Sequence, residues 1–221
     1  MNERGEFRRL YPVPFKPLQA GGGIPFRKRD WIEARLLPPD DERDKRPESR
    51  KIDLNSVKLL GQEGYASVGE IIQKHLSPSV GSIRSSGASL GLIKPRILGF
   101  ECTIQSTSEV HESQLDLEGR PINRINLGQV SRYRFHCQNR KECWCRDRPH
   151  FMEIHDWEAN ELYRSIIRTD KKPASIRDKM RRKWIDWMRE KKREVYFLMG
   201  THHRWKVWMI VSVLYPPRKD S

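Results

Sequence analysis

From residue 96 onward the polar and apolar positions first alternate and then fall into helical steps. In "RILGFECTI", Leu98, Phe100, Cys102 and Ile104 occupy every second position, which predicts a half-buried strand with Cys102 as a core thiol. "RYRFHC" alternates again, with Tyr133, Phe135 and Cys137 on one face and Arg132, Arg134 and His136 on the other. "HFMEI" reads as a third strand leading into a helix, with Asp156 as N-cap and Ala159, Leu162, Tyr163, Ile166 and Ile167 as its buried side. A second helix is expected over residues 174–192, striped with Ile176, Met180, Trp184, Trp187 and Met188. "VYFLMG" and "WKVWMIVSVLY" then predict a hairpin turning at "THHR", whose last strand is apolar on both faces and so belongs inside a covered sheet.

The N-terminal part is less regular. Residues 1–51 read as an extended segment held open by Pro12, Pro14 and Pro17, a short strand at "WIEARLL", and an exposed charged linker from residue 38. A main domain is expected over 52–221. It opens with a short helix capped by Ser67 and Glu70, with Val68, Ile71, Ile72 and Leu76 on one face. "SPSVGSIRSSGASLG" reads as a mobile Ser/Gly connector, and residues 108–129 as a loop or insertion. The predicted class is α+β: a single domain with a mixed or mostly antiparallel sheet packed by two or three helices, a C-terminal β-hairpin and a Cys/His-rich loop.

Composition adds a partner class. The chain has 221 residues, 36% of them hydrophobic, and seven Trp, enough to bury a core. Its formal net charge is +14, which favours a polyanion: nucleic acid, an acidic protein or an anionic membrane surface. No apolar run approaches the roughly 20 residues that cross a bilayer, and the first fifteen residues lack a signal-peptide core. The expected location is the cytoplasm, with no membrane association, and the four Cys are expected as reduced thiols or metal ligands.

Three of those Cys cluster in "CQNRKECWCRDRPH". Cys137, Cys143, Cys145 and His150 supply three sulfurs and an imidazole within fourteen residues, the donor number and type of a tetrahedral zinc site. The spacing matches no familiar zinc finger, and the same alternation that turns Cys137 inward suits a plain core thiol. His155 is the reserve ligand. A stapled loop over 137–150 would form a basic knuckle with Trp144 exposed for stacking and Arg132, Arg134, Arg146 and Arg148 around it.

A second cationic surface is expected on the helix over 174–192. Residues 171–193 carry eleven Lys and Arg against three acids. Arg177, Arg181, Arg182, Lys183 and Arg189 are its candidate phosphate contacts. "EIHDWE" offers an alternative, in which His155, Asp156 and Glu158 at a strand-to-helix junction serve a metal-dependent nuclease or phosphoryl-transfer enzyme. A further alternative is a basic subunit of a larger complex, docked on an acidic protein. Nucleic-acid binding without catalysis is the favoured expectation.

Overall fold

The computed structural model describes residues 1–2, 4–10, 26, 28–38, 44–104, 114–115, 121–122, 129–202 and 205–218. The chain divides into two compact units, Met1–His75 and Leu76–Ser221.

The first unit holds β1 (Arg9–Leu10), β2 (Asp30–Glu33), β3 (Leu36–Leu37), β4 (Ser49–Ile52), β5 (Lys58–Gln62) and α1 (Tyr65–Lys74). The strands form the sheet β1-β4-β3 and the ladder β2-β5. The single strand expected at "WIEARLL" is thus two. Part of the charged segment expected as an exposed linker, from Asp44 onward, packs into this unit. The Asp44 carboxylate accepts from Arg46 Nε at 2.7 Å and from Ser49 Oγ at 2.7 Å, and Glu48 and Ser49 are buried. Charges that pair with one another can enter a packed unit; isolated ones cannot. Residues 39–43 and most of the Pro-rich segment, 11–25, lie outside the described residues. Helix α1 starts from Gly64, without a side-chain cap, so the expected Ser67 cap does not form. Ser67 hydrogen-bonds Glu63 instead.

The second unit is built on two three-stranded sheets. One orders β11-β10-β7, from β7 (Arg96–Ile104), β10 (Gln129–His136) and β11 (His150–Glu153). The other orders β13-β12-β6, from β6 (Leu90–Ile93), β12 (Tyr196–Thr201) and β13 (Trp208–Leu214). All the ladders within these two sheets are antiparallel. A parallel bridge between Ile154 and Ile210 links them, reinforced by His155 N–H donating to the Ile210 carbonyl at 2.8 Å. Strand β12, not β13, is the central member of its sheet, and its Tyr196, Phe197, Met199 and Gly200 are buried. Within the expected insertion only the short pair β8 (Gln114–Leu115) and β9 (Pro121–Ile122) is described; residues 105–113, 116–120 and 123–128 lie outside the described residues.

Alternation locates most of this core correctly and fails at Leu98. Phe100, Cys102, Tyr133, Phe135 and Cys137 are buried as expected, with Ile104 packed against them. The β7–β10 register slips between Arg134 and Phe135, which pair with Gly99 and Ile97, and leaves Leu98 unpaired in a bulge. A bulge inserts one residue and breaks the two-residue period, so Leu98 turns out to solvent.

The Ser/Gly connector is also not a loose loop. It folds into α2 (Val80–Ser85), where the Ser79 hydroxyl accepts from Ser82 N–H and the Ser82 hydroxyl accepts in return from Ser79 N–H, and then into the buried β6. Periodicity misses this helix because only Val80 and Ile83 of its six residues are apolar.

Helix α3 (Trp157–Thr169) follows β11, capped by Asp156 as expected. The next helix runs as α4 (Pro173–Arg181), a π-helical segment (Arg182–Trp187) and α5 (Met188–Glu190). Its buried residues are Ile176, Met180, Trp184 and Met188, at uniform steps of four. In an α-helix each such step overshoots a full turn by about 40°, so the stripe would drift off the core. The wider π-helical rings turn it back. No helix among the described residues is long and apolar enough to cross a membrane.

Candidate metal centre

Strands β10 and β11 deliver the two ends of the cysteine stretch to one place. Cys137 directly follows β10, and His150 opens β11, facing Phe135 across the ladder. The stretch between them contains a single 3-10 turn, Trp144–Arg146. Cys143 N–H donates to the Arg140 carbonyl at 3.2 Å and Arg146 N–H to the Cys143 carbonyl at 3.0 Å, which folds Cys143 and Cys145 back over the strand ends.

The ligand atoms of Cys137, Cys143, Cys145 and His150 all lie within 4.8 Å of one another, and all four residues are buried. Cys137 Sγ is 3.7 Å from Cys143 Sγ. His150 Nε2 is 3.4 Å from Cys137 Sγ and 3.2 Å from Cys143 Sγ. Tetrahedral zinc with ordinary bond lengths sets sulfur–sulfur separations of about 3.8 Å and sulfur–nitrogen separations of about 3.5 Å. The group is therefore close enough, and nearly the right size, to hold a metal ion. Among the described residues no other set of three or more Cys, His, Asp or Glu converges in this way.

The surroundings suit anionic sulfur. Val80 N–H, in the first turn of α2, donates to Cys137 Sγ at 3.4 Å, and Cys137 N–H donates to Cys145 Sγ at 3.4 Å. The His150 ring packs on Phe135 and edge-on to Trp144. Burial, together with the charge of His136, lowers the His150 pKa to about 4, leaving the ring neutral as a ligand must be. Burial raises the Cys137 and Cys145 thiols. A bound cation reverses that logic and takes the thiolate form.

Of the remaining expectations, Cys102 lies on β7 in the core, its thiol directed at Gln129 Oε1 at 3.7 Å, outside the cluster. His155 is also outside it, with an exposed side chain 3.8 Å from Glu153. Asp156 is buried: its carboxylate accepts from Glu158 N–H at 2.7 Å, Ser212 Oγ at 2.8 Å and Val213 N–H at 2.7 Å, tying α3 to β13. Glu158 accepts from Tyr215 Oη at 2.6 Å. These carboxylates are thus engaged in holding the fold together. Of "THHR", His203 and Arg204 lie outside the described residues.

Among the cationic candidates, Arg134, Arg146, Arg148, Arg177, Arg181, Arg182 and Arg189 are exposed, as is Trp144. Arg132 is half-buried beside Glu153, and Arg134 pairs with Glu101. Lys183 is not a free surface cation: its ammonium lies 3.4 Å from the Trp187 ring centroid and 4.9 Å from that of Tyr215. Arg181 and Arg182 share a shallow recess with Asp178, Asp186 and Glu190, so that side of the helix is mixed in charge. Spacing alone had not shown this. Sequence reading also missed α2 as the helix that backs the cluster; its signal was the Ser79–Ser82 cap.

Residues 78–221 match a family described as a domain of unknown function (DUF8757), and the chain belongs to that family. Residues 1–71 match a second domain of unknown function (DUF8758). Neither a curated protein nor a solved structure matches the chain.

Proposed function

We propose that this chain is a nucleic-acid-binding protein whose Cys/His loop is held together by zinc. The observation that carries the reading is the convergence of Cys137, Cys143, Cys145 and His150 at tetrahedral spacing. Three soft sulfurs with one imidazole are a typical zinc donor set, and four protein ligands leave no open position for substrate, so the ion is structural. The stapled loop presents Arg140, Lys141, Trp144, Arg146 and Arg148 outward. An exposed aromatic flanked in sequence by exposed cations is a contact for stacked bases and phosphates, and the +14 charge favours such a partner. Arg177, Arg181, Arg182 and Arg189 form a second, weaker cationic contact. A reducing compartment such as the cytoplasm keeps the thiols available for metal.

Native mass spectrometry of protein purified without chelator should show one zinc, lost in the Cys143→Ser/Cys145→Ser variant. Affinity for nucleic acid should fall steeply with salt, and Trp144→Ala with Arg146→Ala and Arg148→Ala should weaken it while zinc stays bound. A metal-free protein with intact nucleic-acid affinity overturns the zinc half; a zinc protein without affinity overturns the other. A second reading, a basic subunit of a larger complex, is favoured by Leu36, Leu37, Leu59 and Leu60 of the first unit, which are 40–60% exposed. It is tested by replacing Leu59 and Leu60 with Ser and looking for loss of a co-purifying protein.

A further inference from the structure

The outer face of the β7–β10–β11 sheet carries a large apolar residue that the core does not need. Within β11, His150 and Met152 turn inward, and Phe151 between them turns out, 47% exposed. Across the ladder it pairs with Arg134, which in turn pairs with Gly99. The guanidiniums of Arg132 and Arg134 lie 5.5 Å and 5.8 Å from the Phe151 ring centroid. Among the described residues a Cβ added at Gly99 would meet nothing within 4 Å, and the bulged Leu98 stands exposed beside it.

We propose that this face is a platform for a single-stranded nucleic acid, with Phe151 stacking a base and Arg132 and Arg134 meeting the flanking phosphates. The inference rests on the nucleic-acid reading above and names its substrate as single-stranded. A base offers a flat π-face to an exposed ring only when it is outside a duplex, and sheet aromatics flanked by Arg suit that geometry. The carboxylates on this face do not block it. Arg132 Nη2 is 3.6 Å from Glu153, and Arg134 Nη2 is 3.3 Å from Glu101, both longer than the roughly 2.7–2.9 Å of a tight charge-assisted bond. Exposed pairs of this kind contribute little, and each guanidinium keeps further N–H donors for phosphate.

The platform is continuous with the metal loop. Strand β10 presents Arg132, Arg134 and then His136, whose Nδ1 lies 3.0 Å from the Cys145 carbonyl, and the next residue is the ligand Cys137. On β11 the ligand His150 immediately precedes Phe151. A metal held by Cys137 and His150 would therefore fix both strands at the point where the platform begins.

The test is fluorescence anisotropy with a labelled 12-nucleotide single strand and its duplex, using wild type, Phe151→Ala and Phe151→Trp, each first checked for zinc content and circular dichroism. Wild type should prefer the single strand. Phe151→Ala should weaken single-strand binding about tenfold, with duplex binding changed less than about twofold, and Phe151→Trp should retain it. Wild type binding no nucleic acid at all overturns the functional reading and this inference with it. Wild type binding the single strand while Phe151→Ala binds it equally well overturns the platform alone.

Discussion

The hydroxyl of Tyr133, on the central strand of one sheet, donates to the main-chain carbonyl of Trp184 over 2.7 Å inside the core. Trp184 sits in the π-helical segment, where the helix departs from its regular ladder. Burial raises the Tyr133 pKa well above its ordinary value, so the phenol stays protonated and remains the donor. Tyr133→Phe keeps the ring contacts with Phe100 and Phe197 but removes this donor from a buried carbonyl. The expected loss is about 1–2 kcal/mol, a fall in Tm of a few degrees, measurable by urea and thermal denaturation. An unchanged midpoint would mean that the π-helical segment does not depend on this bond.

Asp156 separates the structural from the catalytic reading of "EIHDWE". Its carboxylate holds three donors, two of them on β13. Asp156→Ala removes a helix cap and leaves the Val213 N–H buried without its acceptor, for a combined cost of about 2–4 kcal/mol. A catalytic carboxylate would instead be lost with stability intact. Denaturation of Asp156→Ala beside Glu158→Ala, which gives up the bond from Tyr215 Oη, should rank Asp156 as the larger loss.

What the sequence made legible follows from how local its signals are. The alternation of Tyr133, Phe135 and Cys137 and the Asp156 cap each depend on a few adjacent residues, and they appear as expected. The four ligands were legible because two strand ends and one turn suffice to gather them. Leu98 was not, because a bulge is decided by the pairing strand. Phe151 was not singled out for the same reason: which face of β11 is covered depends on β10 and β7. Lys183 meets Trp187 within its own helical segment, but the Tyr215 ring beside the same ammonium comes from beyond β13, and that contact leaves no trace in spacing.

Acid sensitivity should show at Asp170, just after α3. Lys179, the Ser175 hydroxyl and Lys172 N–H hold its carboxyl well below the usual carboxylate range. A carboxyl depressed in the folded state contributes stability above its unfolded pKa of about 3.9, and that contribution is lost as pH falls through the folded value. Asp170→Asn should therefore lower Tm near neutrality, and the gap from wild type should close as pH is taken down from 5 toward 2. A gap independent of pH would show that the side chain acts through packing rather than charge.

Gly81 sets how closely α2 can approach the metal loop. A Cβ there would lie 1.9 Å from the Glu142 carbonyl oxygen and 3.0 Å from Cys143 Cα, both main-chain atoms that cannot swing aside. Gly81→Ala must push α2 away from the loop, and with it Val80 N–H from Cys137 Sγ and Ser79 Oγ from the Glu142 carbonyl. Loss of such outer hydrogen bonds typically weakens a metal site by 10- to 100-fold, a range that should appear in competition with a chromogenic chelator. Cys102→Ser, remote from the cluster, should keep full zinc affinity in the same assay, whereas Cys145→Ser should abolish it. If Gly81→Ala binds zinc as tightly as wild type, α2 is only a neighbour of the site and the main-chain bond to Cys137 does not contribute to holding the ion.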